Sequence, residues 1–141
     1  MENLNKQGDG ILCPMAVIIK NKKILLGLRN YTPDKWKAIS VWTVPGGRSE
    51  VGETLSETLV REVKEEVGIT DLKIEKYLGE FPGVKAPDVV LAFKCNSDQE
   101  PKLLEPEKFS EWKWFGINEI PENFINPKAL GVIKMNLSRT E

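Results

Sequence analysis

Residues 47–69 read GRSEVGETLSETLVREVKEEVGI, and the fold is decided there. Leu55, Leu59, Val63 and Val67 recur every four positions, with Val60 widening the stripe, which is the period of an amphipathic helix. Thr54, three residues before Glu57, makes a capping box at its start, and Gly68 supplies the left-handed residue that ends it. At about 100° per residue, Glu62, Glu65 and Glu66 share one face of this helix. Like charges at that spacing each cost a few tenths of a kcal/mol, and Glu66 also lies near the negative end of the helix dipole. Arg61 can reach Glu57 or Glu65, but Glu62 and Glu66 have only each other, so a cation is expected against them. Oxygen ligands in this arrangement suit Mg²⁺ or Mn²⁺. The plainer reading is a solvated, glutamate-rich face. Against it stand Gly46 and Gly47, whose backbone can approach a metal or phosphate closely, and Glu53 at the helix entrance.

Outward from the helix, the chain reads as strands. Residues 11–20 and 23–29 are β-rich runs joined by Asn21 and Lys22 at hairpin spacing. Residues 30–40 form a loop before a short strand at 41–44, which Pro45-Gly46-Gly47 ends. Residues 72–81, 89–95 and 109–115 are further strands, 96–108 an acidic loop, and a last helix is expected from Pro127 to about Leu137. Strands interrupted by one strong helix and closed by another predict a layered α+β domain over residues 11–141, after a flexible leader at 1–10.

Composition narrows the chemistry. With 141 residues there is room for one domain at roughly 100–200 residues each. Lys plus Arg number 20 against 21 Asp plus Glu, so no global field draws the chain to nucleic acid or an anionic membrane. There is no histidine, which excludes Ser-His and Cys-His nucleophile pairs and leaves carboxylates as the leading acid–base groups. Cys13 and Cys95 sit in apolar runs and read as buried reduced thiols, the habit of a cytoplasmic protein. The apolar stretch 11–19 contains Pro14 and is followed by lysines, so neither a membrane span nor a signal peptide is expected.

Residues 47–69 resemble the box of the Nudix hydrolases, Gly-x5-Glu-x7-Arg-Glu-U-x-Glu-Glu-x-Gly-U with U aliphatic, at every fixed position. WTVPGG before it and EWKWFGINEIPENFINPKAL after it are similar to MutT-like nucleoside triphosphate diphosphatases, extending the resemblance over roughly residues 11–137. The resemblance implies a mixed β-sheet sandwiched between helices in α/β/α layers. It implies that Glu62, Glu65 and Glu66 coordinate a divalent metal, with the Gly46 carbonyl as a further ligand, and that Glu53 and Arg61 hold loop and helix together beside Gly47 and Gly68. Glu62 is the implied general base in some relatives. An acid outside the box completes the metal site in such relatives: Glu111 matches it, with Glu105 and Glu107 as competitors, and for Glu111 a surface charge on a strand edge is the alternative.

For the substrate, Asn126 or Asn123 matches a base-reading asparagine, although Asn126 also suits the cap of the helix at Pro127. Arg29 is a phosphate ligand or a solvated strand end, and Trp36 a base platform or a core cover. Trp42, Trp112 and Trp114 read as core. The implied activity is Mg²⁺-dependent hydrolysis of a nucleoside diphosphate linked to another group, first a nucleoside triphosphate to monophosphate and pyrophosphate. ADP-ribose, dinucleoside polyphosphate and nucleotide-sugar hydrolysis are the alternatives, and a nucleotide-binding regulatory module is the alternative outside enzymes. The partner is a nucleotide, not nucleic acid or membrane, and a homodimer stays open.

Overall fold

The computed structural model describes residues 2–30, 40–84 and 86–139. Six strands and two helices follow in the expected order: β1 (Leu12–Lys20), β2 (Lys23–Arg29), β3 (Val41–Thr43), α1 (Leu55–Val67), β4 (Lys73–Pro82), β5 (Val89–Asn96), β6 (Phe109–Phe115) and α2 (Leu130–Arg139). The hairpin turn puts Asn21 and Lys22 both at positive φ, 53° and 61°, which suits the right-handed twist of the flanking strands. The hairpin is paired only at its tip, Ile19 with Ile24 and Lys20 with Lys23. From there β1 runs parallel to β5, while β2 takes β3 and β6 as antiparallel partners. Gly27 and Arg29 pair with both β3 and β6, and Ile24 with both β1 and β6, so β6 holds one edge of β2 and β1 and β3 share the other.

The β1 side chains alternate between two cores. Ala16 and Ile18 join Leu55, Leu59, Val63 and Val67 of α1 in one. Val17 and Ile19 join Ala129, Ile133 and Leu137 around α2 in the other. This is the expected α/β/α layering. Helix α1 has the expected limits. Thr54 Oγ1 accepts from the Glu57 N–H at 3.2 Å, the Thr54 N–H donates to Glu57 Oε1 at 2.9 Å, and Gly68 closes the helix at φ 71°.

Residues 2–10 lie against the helix entrance: Leu4 packs on the α1 core, the Gly8 N–H donates to the Glu53 carbonyl at 2.7 Å, and the Lys6 carbonyl accepts from the Leu55 N–H at 2.9 Å. The leader therefore takes up backbone groups that the helix entrance would otherwise leave unpaired. At the other end, Pro127–Ala129 is a 3₁₀ turn leading into α2, and Asn126 makes no side-chain cap there. Its Nδ2 donates to the Pro82 carbonyl at 3.1 Å instead. Trp42, Trp112 and Trp114 all pack on the two cores, and both cysteines are free and buried. Among the described residues no helix is long and apolar enough to cross a membrane.

Candidate active site

Pro45 to Ser49 run beside β1. The Ala16 N–H donates to the Pro45 carbonyl at 2.8 Å, Gly46 bridges Met15, and the Ser49 N–H donates to the Leu12 carbonyl at 2.9 Å. This holds the two glycines against α1. A Cβ on Gly47 would lie 2.6 Å from the Glu62 carboxyl carbon, and Gly46, at φ 147°, would strike the Pro14 carbonyl at 2.4 Å. Only glycine permits this approach of loop to carboxylate.

The three box glutamates have different surroundings. Glu66 is 5% exposed, and its Oε1 accepts from the Gly46 N–H at 3.1 Å. Burial pushes its carboxyl up to about 8, with the charges of Glu62 and Glu105 adding and the Gly46 hydrogen bond opposing. Glu62 is also raised, first by burial and then by Glu65, while Arg61 and Lys108 oppose. Glu65 is half-exposed and accepts from Arg61 Nη1 at 3.0 Å. Arg61 grips Glu53 with two bonds, Nε to Oε2 at 2.8 Å and Nη2 to Oε1 at 3.0 Å. That hydrogen bonding, joined by the Thr58 hydroxyl at 2.9 Å, holds the Glu53 carboxyl below the usual carboxylate range. Glu53 and Arg61 thus brace the loop to the helix from within the cluster.

Outside the box, Glu105 rather than Glu111 is brought to the cluster. Glu105 Oε1 is buried without a hydrogen-bond partner, its charge acts on Glu66, and Lys108 lies 3.5 Å from its other oxygen. Glu111 is exposed on β6 and Glu107 is exposed in the preceding loop. The distinction depends on how the loop before β6 folds back over α1, where the Lys102 N–H donates to the Val67 carbonyl at 2.9 Å, and residue type alone carries no sign of it.

Glu66, Gly46 and Gly47 line one wall of a cleft of about 360 Å³, together with Arg29 and Asn126. Arg29 lies 5.5 Å over the Phe109 ring, and its charge lowers the Glu66 pKa. Asn123 is not in the cleft: its Nδ2 donates to the Ser40 carbonyl at 3.1 Å, tying the segment before α2 to β3. Trp36 lies outside the described residues. Arg48, Asp88 and Cys13 also line the cleft and carried no signal in the sequence, since Arg48 and Asp88 are 40 positions apart.

The NUDIX domain family model matches residues 14–134. The chain belongs to the Nudix hydrolase family. It is 35% identical over 109 residues to an NAD-capped RNA hydrolase NudC of Vibrio parahaemolyticus, covering 77% of this chain and 40% of that protein. It is 28% identical over 120 residues to the NudC of Mannheimia succiniciproducens, covering 84% and 45%. The chain therefore spans less than half the length of these curated relatives. A solved ADP-ribose pyrophosphatase of Streptococcus suis superposes with a TM-score of 0.72 at 21% identity, covering 94% of this chain and 95% of that one, which shows the shared fold.

Nudix hydrolases generally use divalent metal ions, and the residues here fit one. The donors are all hard oxygens, Glu105 Oε1 is buried without a hydrogen-bond partner, Glu66 is buried with its charge coupled to it, and the glycine loop brings backbone against the Glu62 carboxylate as only glycine can. Among the described residues no three acids already converge on one point, because Arg61 draws Glu62 and Glu65 while the Gly46 N–H holds Glu66.

Proposed function

We propose that this Nudix domain hydrolyses the diphosphate linkage of a nucleoside diphosphate joined to a further group. The observation that carries the reading is the buried Glu66 carboxylate, set beside the Gly46–Gly47 backbone in the wall of a largely apolar cleft. Polyphosphate and nucleoside need neighbouring surfaces of opposite character, and the cleft supplies both. Glu62, Glu65 and Glu66, with Glu105, would hold Mg²⁺ or Mn²⁺. Such an ion, when bound, offsets phosphate charge and lowers the pKa of a bound water. Arg61 and Glu53 keep the helix and loop in register, Arg29 offers a cation to phosphate oxygens, and Glu62 or a neighbouring carboxylate accepts the proton of the attacking water. Asn126, held to the Pro82 carbonyl opposite Val89, lies at the Asp88 end of the cleft wall and is a candidate contact for the group on the far phosphate.

A nucleoside triphosphate is the group the resemblance to MutT-like relatives favours, giving monophosphate and pyrophosphate. A second member of the class, a nucleoside diphosphate sugar, is favoured by Asp88, an acid in the cleft where a terminal phosphate would meet repulsion. A panel of nucleoside triphosphates, ADP-ribose, NAD and dinucleoside polyphosphates with Mg²⁺, analysed for products, tests the reading. Glu65→Gln and Glu66→Gln are expected to lower turnover by orders of magnitude while the circular dichroism spectrum stays unchanged. Undiminished turnover in both variants, or no product from any substrate, refutes it.

A further inference from the structure

Three different surfaces follow one another along the floor of the cleft. Cys13, Met15 and Val17 alternate along β1 onto the cleft side, with Val90 beside Cys13 and Ala92 beside Met15 on the parallel strand β5. Cys13 to Val17 spans about 13 Å of strand. At Val17 the walls are apolar, made by Val44, Phe124, Ala129 and Ile133. At Met15 stand Gly46, whose Cβ would lie 2.7 Å from the Met15 sulfur, and Glu66 bonded to it. At Cys13 stands an ion pair, Arg48 Nη2 to Asp88 Oδ2.

Asp88 is firmly seated. Its carbonyl accepts from the Gly83 N–H at 2.8 Å, and a Cβ on Gly83 would lie 2.7 Å from the Asp88 Cβ, so the backbones meet where only glycine fits. Its side chain is 15% exposed against 54% for Arg48. Asp88 therefore orients the arginine, and the two residues join the glycine loop to the start of β5 over Cys13.

This order gives a substrate a direction. With its diphosphate at Gly46 and Glu66, a nucleoside diphosphate places its nucleoside at the apolar end and the group on its far phosphate against the ion pair. A terminal phosphate gains little there: the charge of Arg48 is already balanced by Asp88, whose carboxylate repels a second anion. A vicinal diol suits the pair, since one hydroxyl can donate to the carboxylate and its neighbour can accept from a guanidinium N–H. Resting on the hydrolase reading above, we propose that Arg48 and Asp88 determine specificity for a sugar on the far phosphate.

Ribose 5-phosphate, the free form of such a group, is the probe, titrated calorimetrically in Mg²⁺ beside inorganic pyrophosphate. Asp88→Ala is expected to weaken ribose 5-phosphate binding about tenfold, the worth of one charge-assisted hydrogen bond, and Asp88→Asn to weaken it less. Both variants are expected to lower the ratio of kcat/KM for ADP-ribose to that for ATP, with melting curves confirming the fold. Unchanged ribose 5-phosphate affinity, or no binding by the unaltered protein, overturns the assignment. So does an Arg48→Gln variant that loses pyrophosphate affinity while keeping its ribose 5-phosphate affinity, which would make the far group a phosphate. Because the binding measurement needs no turnover, an inactive protein that still binds the sugar through Asp88 refutes the hydrolase reading and not the pair.

Discussion

Gly47 is the residue on which the placement of Glu62 depends. Its missing side chain leaves 2.6 Å between the point where a Cβ would stand and the Glu62 carboxyl carbon, well inside ordinary contact. Gly47→Ala must push Glu62 outward or lift the loop from β1, where the Gly47 N–H reaches the Pro14 carbonyl at 3.3 Å. The expected outcome is Mn²⁺ affinity lower by about tenfold or more, read by electron paramagnetic resonance, with stability lowered by about 1–3 kcal/mol as in other overpacked sites. Unaltered Mn²⁺ binding would show that Glu62 has no part in holding the ion. Glu66 makes a different prediction, about pH. Its carboxyl moves from an ordinary 4.5 in the unfolded chain to about 8 in the fold, mainly through burial. Between those values the metal-free folded chain keeps a proton that the unfolded chain has released. The contribution to stability is therefore whole below about 4.5 and is lost as pH rises towards 8, because the folded state binds more protons. Urea melts in chelator are expected to show stability falling across this interval, and Glu66→Gln to flatten the slope. A slope unchanged in that variant would place its origin elsewhere.

At the scale of elements, what the sequence made legible is what is encoded within a few residues. Helix α1 announced both ends because its apolar period, the Thr54–Glu57 capping box and Gly68 are all local. The hairpin was equally plain, from two β-rich runs and a two-residue turn. The leader was not, since its polar residues carry no periodicity and its order comes from backbone groups of residues 53–55 that lie far along the chain. That Glu105 and not Glu111 lies beside Glu66 was hidden for the same reason: it depends on the course of a loop, and both are glutamates near β6. The leader's role can be measured at Gly8. A Cβ there would sit 2.2 Å from the Glu50 carbonyl oxygen, so Gly8→Ala must detach the leader from the segment entering α1. The expected result is a loss of about 1–3 kcal/mol and faster amide exchange confined to the first turn of α1, the turn whose Leu55 N–H is bonded to Lys6. Uniformly unchanged exchange would mean that the leader rests on the helix without supporting it.

Over the whole molecule, the site lies where the two layers of packing meet. Strand β1 gives alternate residues to the α1 core and the α2 core, and the glycine loop along its edge meets Glu66 of α1 in the cleft wall. Binding at this seam draws on the same contacts that hold both helices to the sheet, so a metal that binds only the folded chain stabilises all of it. At a free ion concentration about 100 times the dissociation constant, the gain is about 2.7 kcal/mol. For a domain of this size that is a rise of about 8 °C in melting temperature. Calorimetric scans with Mg²⁺ or Mn²⁺ are expected to show that rise in the unaltered protein, scaling with the logarithm of ion concentration. Glu66→Gln should start from a higher melting temperature at neutral pH, since it removes a buried carboxyl under pressure to ionise, and should gain little from the ion. An equal gain in both proteins would mean that the ion binds elsewhere on the surface, and the carboxylates of α1 would then be a charged helix face and nothing more.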